Sequence, residues 1–181
     1  VTSYLEQPYR KSGLKTNSIY AIQYERGGNL FVSTLKGLHA TNLNQKPFAS
    51  LQHTESANSL SDDQVRSVME DRHGRLWVGT NLGGLNFCNL QTGKIIHYRP
   101  GIDPGSLKYN DINALLEDKA GNIWVCNGEI LSRVKDHSGD FEHFNSNSRK
   151  QTNFDAIKIY DITEDKEGLI WLGTGNGIKS F

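Results

Sequence analysis

Within the stretch Val65-Arg66-Ser67-Val68-Met69-Glu70-Asp71-Arg72-His73-Gly74-Arg75-Leu76-Trp77-Val78-Gly79-Thr80, two apolar runs flank a polar turn. Val65 to Met69 is short, branched and apolar, which reads as a strand. In Asp71-Arg72-His73-Gly74 the aspartate can bond its own backbone and the glycine can take positive φ, so the four residues read as a turn. Leu76 to Thr80 is a second strand, and Trp77 is large enough to fill a gap between packed sheets. Gly83-Gly84 marks the next turn, Leu85-Asn86-Phe87-Cys88 a third strand, and Lys94-Ile95-Ile96-His97-Tyr98 a fourth.

The same unit recurs along the whole chain. Phe31, Trp77, Trp124 and Trp171 stand 46, 47 and 47 residues apart. Three positions before each is a glycine: Gly28, Gly74, Gly121 and Gly168. Six before is an acid: Glu25, Asp71, Asp118 and Asp165. Twelve before is Ile19, Val65, Ile112 or Ile159, and seventeen before is Leu14, Leu60, Leu107 or Phe154. A period of this length with four antiparallel strands per unit is the signature of β-propeller blades. The predicted fold is all-β, with about four blades and almost no helix.

The pattern divides the single propeller segment 1–181 into an outer strand of a preceding or closing blade at 1–10 and three blades at 11–56, 57–103 and 104–150. An incomplete fourth blade occupies 151–181. Tyr4-Leu5-Glu6-Gln7 supplies the lone outer strand, and the fourth blade stops within its third strand. One strand plus three makes a fourth blade, so a small closed ring is one solution. A slice of a larger propeller with open flanks is the other. Blade three has Ile130-Leu131 where the others read Gly37-Leu38, Gly84-Leu85 and Gly177-Ile178, so its second turn is expected to be irregular.

Composition narrows the function. Lysine plus arginine and aspartate plus glutamate are equal at 20 each. This balance argues against a nucleic-acid binder, which needs a clustered basic surplus. No apolar run approaches a membrane span, so any tether is expected outside this segment. Cys88 and Cys126 are too few for a disulfide framework and read as packed thiols.

The phrases Asn58-Ser59-Leu60-Ser61-Asp62-Asp63-Gln64-Val65 and Glu70-Asp71-Arg72-His73-Gly74-Arg75-Leu76-Trp77-Val78-Gly79-Thr80, followed by Gly83-Gly84-Leu85, resemble the two-component regulator propeller repeat. Glu117 to Val125 and Glu164 to Thr174 repeat the core phrase. The resemblance covers nearly the whole chain. It implies the periplasmic sensor of a hybrid histidine kinase and response regulator, tuned to glycan fragments and controlling polysaccharide-use genes through a phosphorelay. The kinase itself lies outside this sequence. The acid-x-x-glycine turn before tryptophan is also similar to the Asp-box of sialidase-like propellers, where it is structural.

Catalytic groups should break a repeat, because chemistry happens at one place. Asp71, Asp118 and Asp165 follow the repeat and read as turn formers, with Phe31, Trp77, Trp124 and Trp171 as structural fillers. His53, His97 and His143 fall in or after the outer strands of different blades, so they read as solvated residues rather than metal ligands. Asp161, Glu164, Asp165 and Glu167 lack the spacing of a calcium loop. No catalytic set, metal site or cofactor is expected. Ligand-binding residues should instead vary at equivalent positions near the channel mouth. Directly after the first aliphatic of each inner strand come Tyr20, Arg66, Asn113 and Tyr160, and the preceding loops add Asn17, Asp63 and Asn110. Tyrosine can stack on a sugar face, while arginine and asparagine give directed hydrogen bonds. A sensor without enzymatic activity is the leading reading. A protein-interaction scaffold and a carbohydrate-active enzyme are the alternatives. The expected partners are an oligosaccharide or other small ligand, and either further blades or a second copy of the chain.

Overall fold

The computed structural model describes residues 14–25, 28–42, 49–135, 139–144 and 157–181. The expected outer strand at Tyr4–Gln7 and the repeat position Phe154 lie outside the described residues. The described residues form fifteen strands and no helix, so no helix among them is long and apolar enough to cross a membrane.

The strands make four antiparallel sheets in strict chain order. Blade one holds β1 (Ile19–Tyr24), β2 (Asn29–Thr34), β3 (Gly37–Asn42) and β4 (Ala49–Leu51). Blade two holds β5 (Val65–Glu70), β6 (Leu76–Thr80), β7 (Leu85–Asn89) and β8 (Lys94–Tyr98). Blade three holds β9 (Ile112–Glu117), β10 (Ile123–Asn127), β11 (Ile130–Val134) and β12 (Phe141–Phe144). Blade four holds β13 (Ile159–Glu164), β14 (Ile170–Thr174) and β15 (Gly177–Ser180). Successive sheets approach most closely along their first strands: β1 meets β5, β5 meets β9, and β9 meets β13. That convergence makes the first strands the inner ones of a four-bladed propeller. Among the described residues no comparable contact joins β13 back to β1.

The core is divided among the blade interfaces. Phe31 and Leu38 of blade one pack with Leu60, Val65, Val68, Leu76 and Val78 of blade two. Trp77, Leu85 and Phe87 of blade two pack with Leu107, Ile112, Ile123, Val125 and Phe141 of blade three. Trp124 and Leu131 of blade three pack with Ile159, Ile162, Ile170 and Leu172 of blade four. Each blade therefore buries its apolar face against the next, as in a solenoid whose stability lies in neighbour interfaces. The tryptophan column shows this directly. Trp77 is 0% exposed and Trp124 4%, whereas Trp171, with no described blade beyond it, is 38% exposed. The structural role expected of Trp171 is only half realised within this chain.

The acid column explains the turns. In blades two to four the aspartate accepts backbone N–H bonds from residues two or four ahead, at 2.8–3.0 Å. Its other carboxylate oxygen accepts the indole Nε1–H of the blade's own tryptophan: Trp77 to Asp71 at 2.9 Å, Trp124 to Asp118 at 2.8 Å, Trp171 to Asp165 at 2.7 Å. Blade one has phenylalanine, which offers no donor, and there Asn29 Nδ2 donates to Glu25 at 2.8 Å instead.

The second turn of blade three is regular, contrary to the sequence expectation. Asn127 pairs with Ile130 across a two-residue loop, Gly128-Glu129, just as Thr34 pairs with Gly37 and Thr174 with Gly177. The positive φ moves from the first residue of the third strand, as at Gly37, to Gly128 inside the loop (φ 59°). The departure is in blade two, where Gly79 pairs with Leu85 across a longer loop.

Candidate ligand-binding site

All four inner strands are irregular at the same place. The pairing register of β1 shifts between Ile19 and Ala21, and that of β5 between Val65 and Ser67. In β9 the partner of Asn127 is Ile112 while that of Cys126 is Ala114, and β13 shifts between Ile159 and Asp161. The residues left unpaired are Tyr20, Arg66, Asn113 and Tyr160. A bulge of this kind releases one residue from the ladder and re-aims its side chain. In blades two to four the flanking aliphatics stay buried, with Val65, Ile112 and Ile159 inaccessible, whereas Ile19 of blade one is exposed.

These four side chains come together. They line one cavity of about 410 Å³ along the inner strands, with Ala21, Ser67, Ala114 and Asp161 beside them. Arg66 Nη1 donates to Asn113 Oδ1 at 3.1 Å, and Asn113 Nδ2 donates to the carbonyl of Ile159 at 2.8 Å. The polar pair is thus fixed across blades two, three and four. Tyr20 and Tyr160 at the two ends are 52% and 56% exposed. The arrangement offers two aromatic faces, a guanidinium already oriented by an amide, and the carboxylate of Asp161. Asp161 also breaks its column, standing where the other blades have Ala21, Ser67 and Ala114, although the sequence singled it out only as part of an acidic cluster.

The loop residues behave differently. The Asp63 carbonyl accepts N–H bonds from Gly37 of blade one and Val65 of its own blade, and its carboxylate accepts the His53 N–H. The Asn110 carbonyl accepts the Gly84 N–H of blade two. Both residues join neighbouring blades and stand outside the cavity lining. Asn17 is exposed on the loop ahead of β1, also outside that lining.

The histidines are each hydrogen-bonded to a loop carbonyl, with His53 exposed and His97 and His143 half-buried. His53 Nδ1 lies 2.7 Å from the Leu60 carbonyl, His97 Nε2 2.7 Å from that of Ser59, and His143 Nε2 2.9 Å from that of Ser106. His53 and His97 both engage the entry loop of blade two and His143 that of blade three, and among the described residues no group of three or more acids, histidines and cysteines gathers as a metal site. The supposed acidic cluster is divided by the length of β13: Asp161 is at the cavity, while Glu164 Oε2 accepts the Lys119 N–H at 2.8 Å and Asp165 shapes its own turn. Cys88 and Cys126 are free and buried.

No curated protein sequence matches the chain. Among solved structures, the extracellular domain of the hybrid two-component system BT3049 from B. thetaiotaomicron superposes over 99% of the chain, with a TM-score of 0.78 and 24% identity. The extracellular domain of BT4673 from the same organism, described as a one-component system, covers 94% with a TM-score of 0.74 and 27% identity. The chain spans 22% of the length of each. Virginiamycin B lyase from Staphylococcus aureus shares the fold at 16% identity and a TM-score of 0.64. The model of the two component regulator propeller matches residues 59–82, 106–129 and 153–176, one segment for each of the last three blades. With these matches on the repeat frame described above, the last three blades carry the two-component regulator propeller repeat.

Proposed function

We propose that this chain is the ligand-sensing segment of an extracytoplasmic two-component sensor, and that a glycan fragment is read at the inner-strand bulges. The observation that carries this reading is the meeting of Tyr20, Arg66, Asn113 and Tyr160 in one cavity. Nearly every other column repeats, so these residues carry what is particular to this propeller. Exposed tyrosine faces suit the apolar face of a sugar ring, and Arg66 with Asn113 suits its hydroxyls or a carboxylate. The sensor reading is supported by the family and by likeness to the extracellular domain of BT4673. Placement in the periplasm, coupling to a histidine kinase and control of polysaccharide-use genes by phosphorelay complete the proposal. The segment itself is proposed to bind without catalysis and without a cofactor.

Calorimetric titration with a panel of neutral and acidic oligosaccharides tests it. Binding by the wild-type chain that is lost in Arg66→Ala supports the site. Binding unaffected by both Arg66→Ala and Tyr160→Ala would place the ligand elsewhere.

A further inference from the structure

Among the described residues three arginines are half-buried: Arg66, Arg75 and Arg133. Two of them are neutralised by a carboxylate. Arg75 Nε donates to Asp71 Oδ2 at 2.7 Å, and Arg133 Nη2 donates to Glu142 Oε2. Arg66 is the exception. Its hydrogen-bond partner is the neutral Asn113 amide at 3.1 Å, and no salt bridge among the described residues includes it. A guanidinium carries five N–H donors in a planar fork, so most of the Arg66 donors are left for a ligand.

The amide holds Arg66 in place without discharging it. Asn113 Nδ2 is committed to the Ile159 carbonyl at 2.8 Å, so Oδ1 is the atom that faces Arg66. The guanidinium plane is therefore set before a ligand arrives, which lowers the ordering cost of a bidentate contact with an oxyanion. A half-buried positive charge beside a neutral partner is under-compensated, and an anion entering the cavity relieves that. Both residues stand in blades with a described blade on either side, so this arrangement is complete within the chain.

The rest of the lining limits how much negative charge the cavity accepts. Arg66 is its one cation and Asp161 its one anion. Asp161 is exposed, and its Oδ1 accepts the Ile162 N–H at 2.9 Å, so water and backbone already support its charge. A carboxylate in that position attracts ring hydroxyls and repels a second acid.

We infer that the cavity selects a saccharide carrying a single carboxylate or sulfate, with that group paired to Arg66 and its hydroxyls turned towards Asp161. The inference rests on the sugar-binding reading of this cavity and adds to it the charge of the ligand. Arg66 sets the specificity, and Asn113 positions Arg66.

Calorimetry at low ionic strength tests it with an aldobiouronic acid (one glucuronic acid on one neutral sugar), its methyl ester, a singly sulfated neutral disaccharide, and digalacturonate. The tighter-binding single anion, acid or sulfate, should exceed the ester by about tenfold on wild-type chain, the margin of a charge-assisted over a neutral contact. Arg66→Gln keeps a donor for Asn113 and removes the charge, so it should bind anion and ester alike. Asp161→Asn should strengthen digalacturonate binding about threefold, the size of an exposed charge effect. The inference is overturned if anion and ester bind wild-type chain alike, if the preference survives Arg66→Gln, or if digalacturonate binds more tightly than the single anion or ignores Asp161→Asn. In those cases, ester binding that is lost in Tyr160→Ala leaves the sugar-binding reading standing. Inorganic sulfate binding as tightly as the sulfated disaccharide would overturn the sugar-binding reading, and with it the saccharide inferred here. Failure of every probe to bind at about 1 mM, the weak end of specific affinity, overturns both.

Discussion

Trp77 Nε1 donates a 2.9 Å hydrogen bond to Asp71 Oδ2, so the residue that fills the blade interface also holds the turn that starts its own strand. The carboxylate is completely used: its other oxygen accepts the N–H groups of His73 and Arg75, and Arg75 Nε donates to Oδ2 at 2.7 Å. Trp77→Phe preserves most of the apolar bulk and removes one donor from a buried acceptor. It should cost about 1–3 kcal/mol, as expected when a buried charged acceptor loses a partner. Urea denaturation of the two proteins measures this. A cost near zero would show that Asp71 needs only its backbone partners.

Full truncation should separate two chemically identical positions. Trp124 packs against Phe144 and Phe181 with ring centroids 5.4 and 5.3 Å apart, and blade four covers it. Trp124→Ala should therefore destabilise by about 3–5 kcal/mol, the usual cost of deleting a large core aromatic. Trp171→Ala should cost less than half as much, because its ring is already partly in water. Equal losses in thermal or urea unfolding would mean that the blade-four flank is covered in solution.

The blade frame was legible in the sequence because each column has one local reason to exist: a turn needs its acid and glycine, and an interface needs its aromatic. The bulge column Tyr20, Arg66, Asn113 and Tyr160 was also legible, by its failure to repeat. What the sequence could not show was the bulge that turns those residues out of the ladder, since register is set by pairing with a distant strand. Asp63 and Asn110 look like site residues because they vary nearby, yet their carbonyls serve the neighbouring blade. Their task is carried by the backbone, which leaves no mark on side-chain identity. Blade three misled in the same way: Gly128 takes the positive φ that Gly37 and Gly177 take elsewhere, so the turn survives with its glycine displaced.

Acid should weaken the fold in two stages. Burial, followed by the charge of Lys108, holds the His143 imidazole below the usual histidine range. Burial and then Lys15 do the same for His39. The unfolded chain takes up these protons near pH 6.5 while the folded chain resists, so stability is intact above that value and falls as pH drops below it. Burial pulls the Asp71 and Asp118 carboxyls upward, but the hydrogen bonds led by Trp77 and Trp124 outweigh it and hold both below the usual carboxylate range. Their contribution is present above about pH 4 and disappears as pH falls further. Urea midpoints recorded from pH 8 to 3 should show both declines. His143→Gln should shrink the first and Asp118→Asn the second, and unchanged slopes would refute the assignment.

The two thiols should be inert in the native state. Burial pushes the Cys88 thiol up to about 12, and burial together with Asp161 raises that of Cys126 as well. Only the thiolate is nucleophilic, so iodoacetamide should label neither cysteine at pH 8 until the chain is unfolded. Mass spectrometry reads the result, and native labelling of Cys126 would mean that the interface between blades three and four opens readily.

The inner-strand residues should show the opposite balance between stability and function. Tyr20 and Tyr160 are more than half exposed, and neither belongs to a packed cluster. Replacing either by alanine should leave the urea midpoint within the scatter of ordinary surface changes, about 0.5 kcal/mol. Arg66→Ala should cost little more, since its bond to Asn113 is only part-buried. Asn113 differs, because its amide also satisfies the Ile159 carbonyl, and Asn113→Ala should cost about 1 kcal/mol as well as freeing Arg66. If the cavity is the ligand site, all four substitutions weaken binding, and Asn113→Ala is the one that also weakens the fold. A ligand whose affinity falls only with Asn113→Ala would be sensing the packing of blades three and four, not the cavity floor. That pattern would move the candidate site away from the bulges.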